Sequence, residues 1–147
     1  MWYAASFVWG LLILILSITP GDVLVKYVGN NADKAGHFVM YTIFALLLVG
    51  GRVFYQKQNS GEKQVYSLKD IHRAIKEKIS LKFLISQLTR TNLFILILCG
   101  VYGIVIEFIQ LFIPGRTSSA LDALSNTAGV LLGIFLGKFL YGRNKTI

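Results

Sequence analysis

Residues 92–113 read NLFILILCGVYGIVIEFIQLFI, a nearly unbroken apolar stretch that also carries Glu107 and Gln110. A transmembrane helix needs about 20 predominantly apolar residues, so this stretch alone predicts a membrane span. Three further apolar blocks approach that length: 2–19, 35–51 and 120–141. The sequence therefore predicts an all-α integral membrane protein, a four-transmembrane-helix bundle that forms a single membrane domain over residues 1–147.

The composition agrees with a membrane protein and argues against a nucleic-acid-binding one. The chain is 54% hydrophobic with a mean hydropathy of +0.61, which is more apolar than a soluble domain. Its net charge of +8 would suggest nucleic acid in a soluble protein, but no RNA-binding aromatic motif accompanies the basic residues. We therefore expect a membrane partner and no nucleic acid.

The basic residues also predict the orientation in the membrane. Twelve of the 15 Lys and Arg residues lie in the basic loop 52–91 or in the C-terminal tail, whereas three lie in the other two connections. The positive-inside rule places the richer side in the cytoplasm. We expect a multi-pass membrane protein with both termini cytoplasmic and with residues 20–34 and 114–119 outside.

The first block is predicted to be a retained helix rather than a cleaved signal peptide. It has no basic segment before its apolar residues and no A-x-A-like cleavage site. Trp2, Tyr3 and Trp9 are aromatic residues of the kind that anchor a helix at the membrane interface.

The basic loop is predicted to contain an amphipathic helix. Its start, QKQNSGEKQ (56–64), has the composition of a flexible polar loop, whereas residues 67–88 repeat apolar side chains at helical spacing between lysines. This pattern predicts an additional cytoplasmic-side amphipathic helix that lies on the membrane surface and attracts anionic lipid.

Polar residues inside membrane helices are rare and by default indicate function. Helical spacing places the polar residues of three helices on one face of each, at the outer end of the predicted bundle, and Arg116 lies at the same level in the turn at 114–118. The candidates for acid–base chemistry are His37, Glu107 and Asp122, and the candidates for substrate binding are Asp33, Lys34, Tyr41, Gln110, Arg116 and Asn126. Together they predict a pocket with nearly balanced charge that opens toward the outer leaflet.

Structural roles compete with function at several of these positions. Tyr41, Gln110 and Asn126 could equally hold helices together, and Asp33 could be only a helix N-cap. The glycines at positions 129, 133 and 137 form a small-xxx-small pattern, which predicts close approach of a partner helix.

The polar residues, in their order along the chain, resemble the VanZ-like family of bacterial membrane proteins. The motifs are DKAGH at 33–37 with Tyr41, EFIQ at 107–110, RTS at 116–118, and Asp122 with Asn126 and Gly129. The resemblance covers about residues 1–141 and excludes the longer loop at 52–90. It implies a small multi-pass protein of the bacterial cytoplasmic (inner) membrane, and the family is named for a member linked to teicoplanin-type glycopeptide resistance.

Three functions are compatible with the sequence. The first is a protein that binds a lipid or a lipid-linked cell-wall precursor in the outer pocket, with Lys34 and Arg116 holding a phosphate or carboxylate, and with a link to antibiotic resistance. The second is a membrane enzyme that acts on a lipid head group, with His37 as general acid or base. The third is a proton-coupled transporter component that uses Glu107 and works as a homo-oligomer. No motif for a metal or a cofactor is present, so we expect neither.

Overall fold

The computed structural model describes residues 1–23, 32–60, 90–116 and 119–141, and regular structure within these ranges is helical. The helices are α1 (Trp2–Ile18), α2 (Ala32–Ser60), α3 (Arg90–Gln110) and α4 (Ala120–Tyr141). The predicted amphipathic helix at 67–88 lies outside the described residues, as does most of the basic loop.

Three of the four helices are long and apolar enough to cross a membrane. These candidate spans are Lys34–Gln56, Arg90–Gln110 and Ala120–Tyr141. Helix α1 is also apolar but has 17 residues, which gives a length of ~25 Å at 1.5 Å per residue. The described chain therefore has the helices of a multi-pass membrane protein, with one helix shorter than the other three.

Helix α2 is longer than the sequence predicted. The predicted span ended at Gly51 and the polar stretch from Gln56 was expected to be a loop, yet the helix continues to Ser60. Gln and Lys are good helix formers, and no glycine or proline interrupts the chain between Gly51 and Gly61. The start of the predicted basic loop is therefore helical.

Helix α3 ends at Gln110, three residues before the predicted boundary at Ile113. The next residues form tight turns, in which the backbone N–H of Ile113 donates to the carbonyl of Gln110 at 3.1 Å. Pro114 has no N–H to continue a helix, and Gly115 has a positive φ of 73°, which glycine adopts readily. The chain reverses here and enters α4.

Consecutive helices run in opposite directions. The indole N–H of Trp9 in α1 donates to the carbonyl of Met40 in α2 at 2.9 Å, and Trp2 lies beside Gly50 near the other end of the pair. Helices α1 and α3 are parallel, because the hydroxyl of Tyr102 donates to the carbonyl of Gly10 at 2.6 Å while the residues that follow α3 contact the end of α1.

Helix α4 packs closely against α2 along its glycines. A Cβ at Gly129 would overlap the carbonyl oxygen of Phe38, and one at Gly133 would lie 2.8 Å from the Cβ of Ala45. One at Gly137 would lie 2.7 Å from the Cβ of Val49. The predicted close approach of a partner helix is confirmed, and that partner is α2, which runs parallel to α4.

The two ends of the bundle differ in chemistry. At one end of the bundle, α1 and α3 end while α2 and α4 begin. We call this end the polar end. The opposite end, which we call the basic end, carries Arg52, Arg90 and Lys138, and there the guanidinium of Arg52 donates to the side-chain oxygen of Asn92 at 3.3 Å. Between the ends the buried core is mostly apolar, while large apolar side chains such as Phe94 and Ile104 face outward.

Candidate functional site

The polar end contains a chain of three hydrogen-bonded side chains from three helices. The Nδ1 atom of His37 in α2 lies 3.0 Å from Oδ1 of Asn126 in α4. The Nδ2 group of Asn126 donates to Oε1 of Glu107 in α3 at 3.4 Å. All three residues are at least nine-tenths buried. The structure thus brings together three candidates that are 19 and 89 residues apart in sequence.

The direction of these hydrogen bonds assigns the proton on His37. The Nδ2 group of Asn126 donates to Glu107, so the NH₂ group of Asn126 faces α3. The amide oxygen of Asn126 then faces α2 and accepts, which requires a proton on Nδ1 of His37. The contact also fixes the orientation of the buried imidazole ring.

The ring of Tyr41 stacks beside His37, with centroids 6.4 Å apart and an interplanar angle of 23°. Its hydroxyl lies near Asn126, because a Cβ at Gly103 would be 3.5 Å from that hydroxyl and 3.3 Å from Nδ2 of Asn126. Tyr41 is fully buried, yet its hydroxyl has no hydrogen-bond partner among the described residues.

Two further buried polar atoms lack a hydrogen-bond partner in the same way. Within the described ranges, neither Nε2 of Gln110 nor Oδ1 of Asp122 has a hydrogen-bond partner, although both residues are only 2% exposed. A buried polar group without a partner costs about 1–3 kcal/mol. Such groups persist in native proteins where something else satisfies them, so these atoms mark the polar end as a place that could receive a polar ligand.

The other carboxylate oxygen of Asp122 has a structural role. Oδ2 accepts hydrogen bonds from the backbone N–H of Ser119 at 3.1 Å and from its hydroxyl at 2.6 Å. The hydroxyl of Ser119 in turn accepts from the backbone N–H of Asp122 at 3.3 Å. This reciprocal arrangement is a capping box at the start of α4. The Ser-x-x-Asp spacing at 119–122 is a sequence signal for this cap.

Arg116 contacts the end of α1. Its Nε–H group donates to the carbonyl of Thr19 at 3.1 Å and its terminal NH₂ group donates to the carbonyl of Leu16 at 2.6 Å. The backbone supports the same contact, since Gly21 N–H donates to the carbonyl of Pro114 at 3.1 Å. A cation at a helix C-terminus is favourable, so this residue, a candidate for ligand binding, also caps α1.

The remaining candidates, Lys34 and Asp33, lie at the start of α2. Lys34 lies exposed on the first turn of α2, one turn before His37. Asp33 belongs to the same helix, and its side chain is outside the described part of the structure. Among the described residues no group of three or more His, Cys, Asp or Glu side chains is placed to hold a metal ion.

The sequence comparisons identify one family. A family model described as VanZ/LLP1 matches residues 3–141, which is nearly the whole chain. No curated protein matches the chain, and no solved structure matches it. The matched range contains every residue of the polar end described above, and it confirms the resemblance drawn from the motifs: the chain belongs to the VanZ/LLP1 family.

Proposed function

We propose that the polar end binds the polar head of a membrane lipid or of a lipid-linked envelope component. The observation that carries the proposal is the set of three buried polar atoms, on Tyr41, Gln110 and Asp122, beside the hydrogen-bonded chain of His37, Asn126 and Glu107. Polar groups inside a membrane bundle by default indicate a ligand or an ion pathway.

The chemistry of the three atoms favours a particular kind of head group. The amide of Gln110 donates hydrogen bonds, the carboxylate of Asp122 accepts them, and the hydroxyl of Tyr41 can do either. A head group that carries both donors and acceptors, such as hydroxyl or amide groups, satisfies all three. A bare phosphate satisfies only the donors.

We further propose that all four helices span the membrane and that the polar end faces outward. The alternating directions of the helices support four spans, because each described helix brings the chain to the opposite end of the bundle. The position of Arg52, Arg90 and Lys138 at the other end supports a cytoplasmic basic end. Binding of a cell-wall precursor outside would provide a route to lower glycopeptide binding at the cell surface.

Cysteine labelling tests this orientation. The native Cys99 is fully buried and would be replaced by alanine, and single cysteines would be placed at Ser119 and Ser60. In intact cells a membrane-impermeant maleimide should label position 119 and not position 60. The opposite pattern would place the polar end in the cytoplasm and remove the link to the cell wall.

Native mass spectrometry of the purified protein tests ligand binding. The wild type should retain a lipid of defined mass, and Tyr41→Phe and Gln110→Met should each reduce its occupancy several-fold, since each removes one unsatisfied polar group at similar volume. Tyr55→Phe is the matched control, because this hydroxyl lies on the exposed part of α2 toward the basic end. Absence of a specific lipid from the wild type, or equal loss in the control, would refute the proposal.

The buried contact between His37 and Asn126 favours a second candidate function, an acid–base enzyme acting on the bound head group. The contact holds the imidazole ring in one orientation at the polar end, and a general acid or base must be positioned in this way. This function predicts that His37→Gln abolishes turnover of the retained lipid while the lipid still binds. If purified wild-type protein leaves that lipid chemically unchanged, the binding function alone remains.

A further inference from the structure

A groove of about 270 Å³ lies between α3 and α4, and Asn126 forms part of its lining. Small residues form much of its wall. They are Cys99, Gly100 and Gly103 on α3 and Ala123 and Thr127 on α4. The groove therefore borders the central residue of the hydrogen-bonded chain and continues along the apolar part of the bundle.

The groove has a closed floor and an open side. Cys99 and Val130 are almost fully buried and form part of the floor, whereas Ile104 and Thr127 at the rim are exposed. On α3 the lining extends from Leu96 to Ile104, which corresponds to ~12 Å of helix at 1.5 Å per residue. In a bilayer the open side would face the hydrocarbon region, so hydrocarbon can enter it sideways.

The polar end of the groove is separated from the buried hydroxyl of Tyr41 by a glycine. Gly103 has no side chain, and a Cβ there would come within 3.3 Å of Nδ2 of Asn126 and within 3.5 Å of that hydroxyl. The wall of the groove at Gly103 therefore borders a fully buried hydroxyl that has no hydrogen-bond partner in the described part of the chain.

We propose that the groove holds an acyl chain of the lipid whose head group binds at the polar end. This inference rests on the proposed lipid-binding function and adds the class of ligand and its position. The groove follows α3 for ~12 Å, which suits an extended, unbranched acyl chain. Hydrocarbon gains little free energy when it moves from the bilayer interior into an apolar groove, so the groove selects its occupant by shape.

Substitution of Gly100 tests the groove. A Cβ at Gly100 would meet nothing within 4 Å, so Gly100→Leu places a side chain in the groove without a clash in the protein. Gly36→Leu is the matched control, because a Cβ at this exposed residue of α2 also meets nothing within 4 Å and the residue does not line the groove. Native mass spectrometry with fragmentation of the retained lipid gives the occupancy and the chain type.

We expect Gly100→Leu to reduce lipid occupancy at least five-fold relative to the wild type, Gly36→Leu to leave it unchanged, and the released lipid to yield fatty-acyl fragments. Unchanged occupancy in Gly100→Leu, or polyprenyl fragments, would overturn the proposal. If Gly100→Leu does not fold, Thr127→Leu on the opposite wall carries the same expectation.

The two proposals fail in different ways. If Tyr41→Phe loses the lipid and both groove variants keep it, the groove proposal is wrong and the binding site for the head group stands. If the wild type carries no specific lipid, the proposed function itself is wrong.

Discussion

Helix α4 has two contrasting interfaces, a closed one with α2 and an open one with α3. Toward α2, its glycines at positions 129, 133 and 137 allow backbone contact, and no atom could be added without overlap. Toward α3, the small residues at positions 123 and 127 border a groove, and Gly100 across from them faces empty space.

The contrast shows that small residues in a membrane helix have two different uses. In the α2 interface they allow van der Waals packing, which is the main force that associates helices in lipid. In the α3 interface the same kind of residue leaves room that no protein atom fills. Sequence spacing alone does not separate these uses, whereas substitutions do.

The largest effect is expected at the closed interface. Gly133→Ala would place a Cβ against the Thr42 carbonyl and 2.8 Å from the Cβ of Ala45, so α2 and α4 would have to separate. Overpacking of this kind costs about 3 kcal/mol. Reversible unfolding in mixed detergent micelles measures the loss, and a stability equal to that of the wild type would show that the two helices can move apart freely.

The second-largest loss of stability is expected at Asn126. This residue joins the two interfaces, because it contacts both α2 and α3. Asn126→Leu keeps the branching of the side chain at Cγ but removes the hydrogen bonds to His37 and Glu107. Interhelical hydrogen bonds in membranes are worth about 1–2 kcal/mol, and we expect a loss of that size.

A double-mutant cycle between His37→Ala and Glu107→Ala sharpens this result. The two substitutions should be non-additive in the wild type, because Asn126 connects the two side chains, and more nearly additive in the Asn126→Leu background. An equal coupling energy between positions 37 and 107 in the wild type and in Asn126→Leu would show that Asn126 does not transmit the coupling.

A smaller effect is expected at Arg116, which attaches α1 to the turn between α3 and α4. Arg116→Ala removes the donors to the carbonyls of Leu16 and Thr19, and loss of a cation at a helix C-terminus costs about 1 kcal/mol. Arg116→Lys should recover part of this stability, as measured by the same unfolding assay. Full stability in Arg116→Ala would mean that α1 is held by its other contacts, such as those of Trp9 and Tyr102.

The smallest effect, and one of opposite sign, is expected at the open interface. Gly100→Ala meets nothing within 4 Å and replaces glycine inside a helix, which should stabilise the protein by about 0.5–1 kcal/mol. The comparison between the two interfaces depends on this difference in sign. A destabilisation similar to that of Gly133→Ala would show that the α3 interface is also closed.

The helices were largely predictable, and their partners were not. Blocks of apolar residues identified the candidate spans, and spacing identified the glycine face of α4. Periodicity identifies the face of α4 that packs against another helix, but it does not identify which helix that is. The partner α2 therefore could not be predicted. The extension of α2 to Ser60 was missed because Gln, Lys and Asn resemble a loop in composition while still allowing a helix.

Helical spacing also predicted part of the candidate site. Helical spacing placed His37 and Tyr41 on one face and Glu107 with Gln110 on another, and the structure brings His37 and Glu107 to the same Asn126. Arg116 lies in a turn, where a long side chain can reach many groups, and no sequence pattern indicates that it contacts the end of α1. The groove depends on the distance between two helices, which the sequence does not encode locally.

The contact between Arg116 and α1 has a consequence for biosynthesis. The guanidinium comes 97 and 100 residues after the two carbonyls that it binds. At a translation rate of about 5–20 residues per second, the two carbonyls are synthesised roughly 5–20 s before the guanidinium that caps them. Synthesis of α1 and its attachment to the rest of the bundle are thus separate events, and the turn between α3 and α4 completes the first helix.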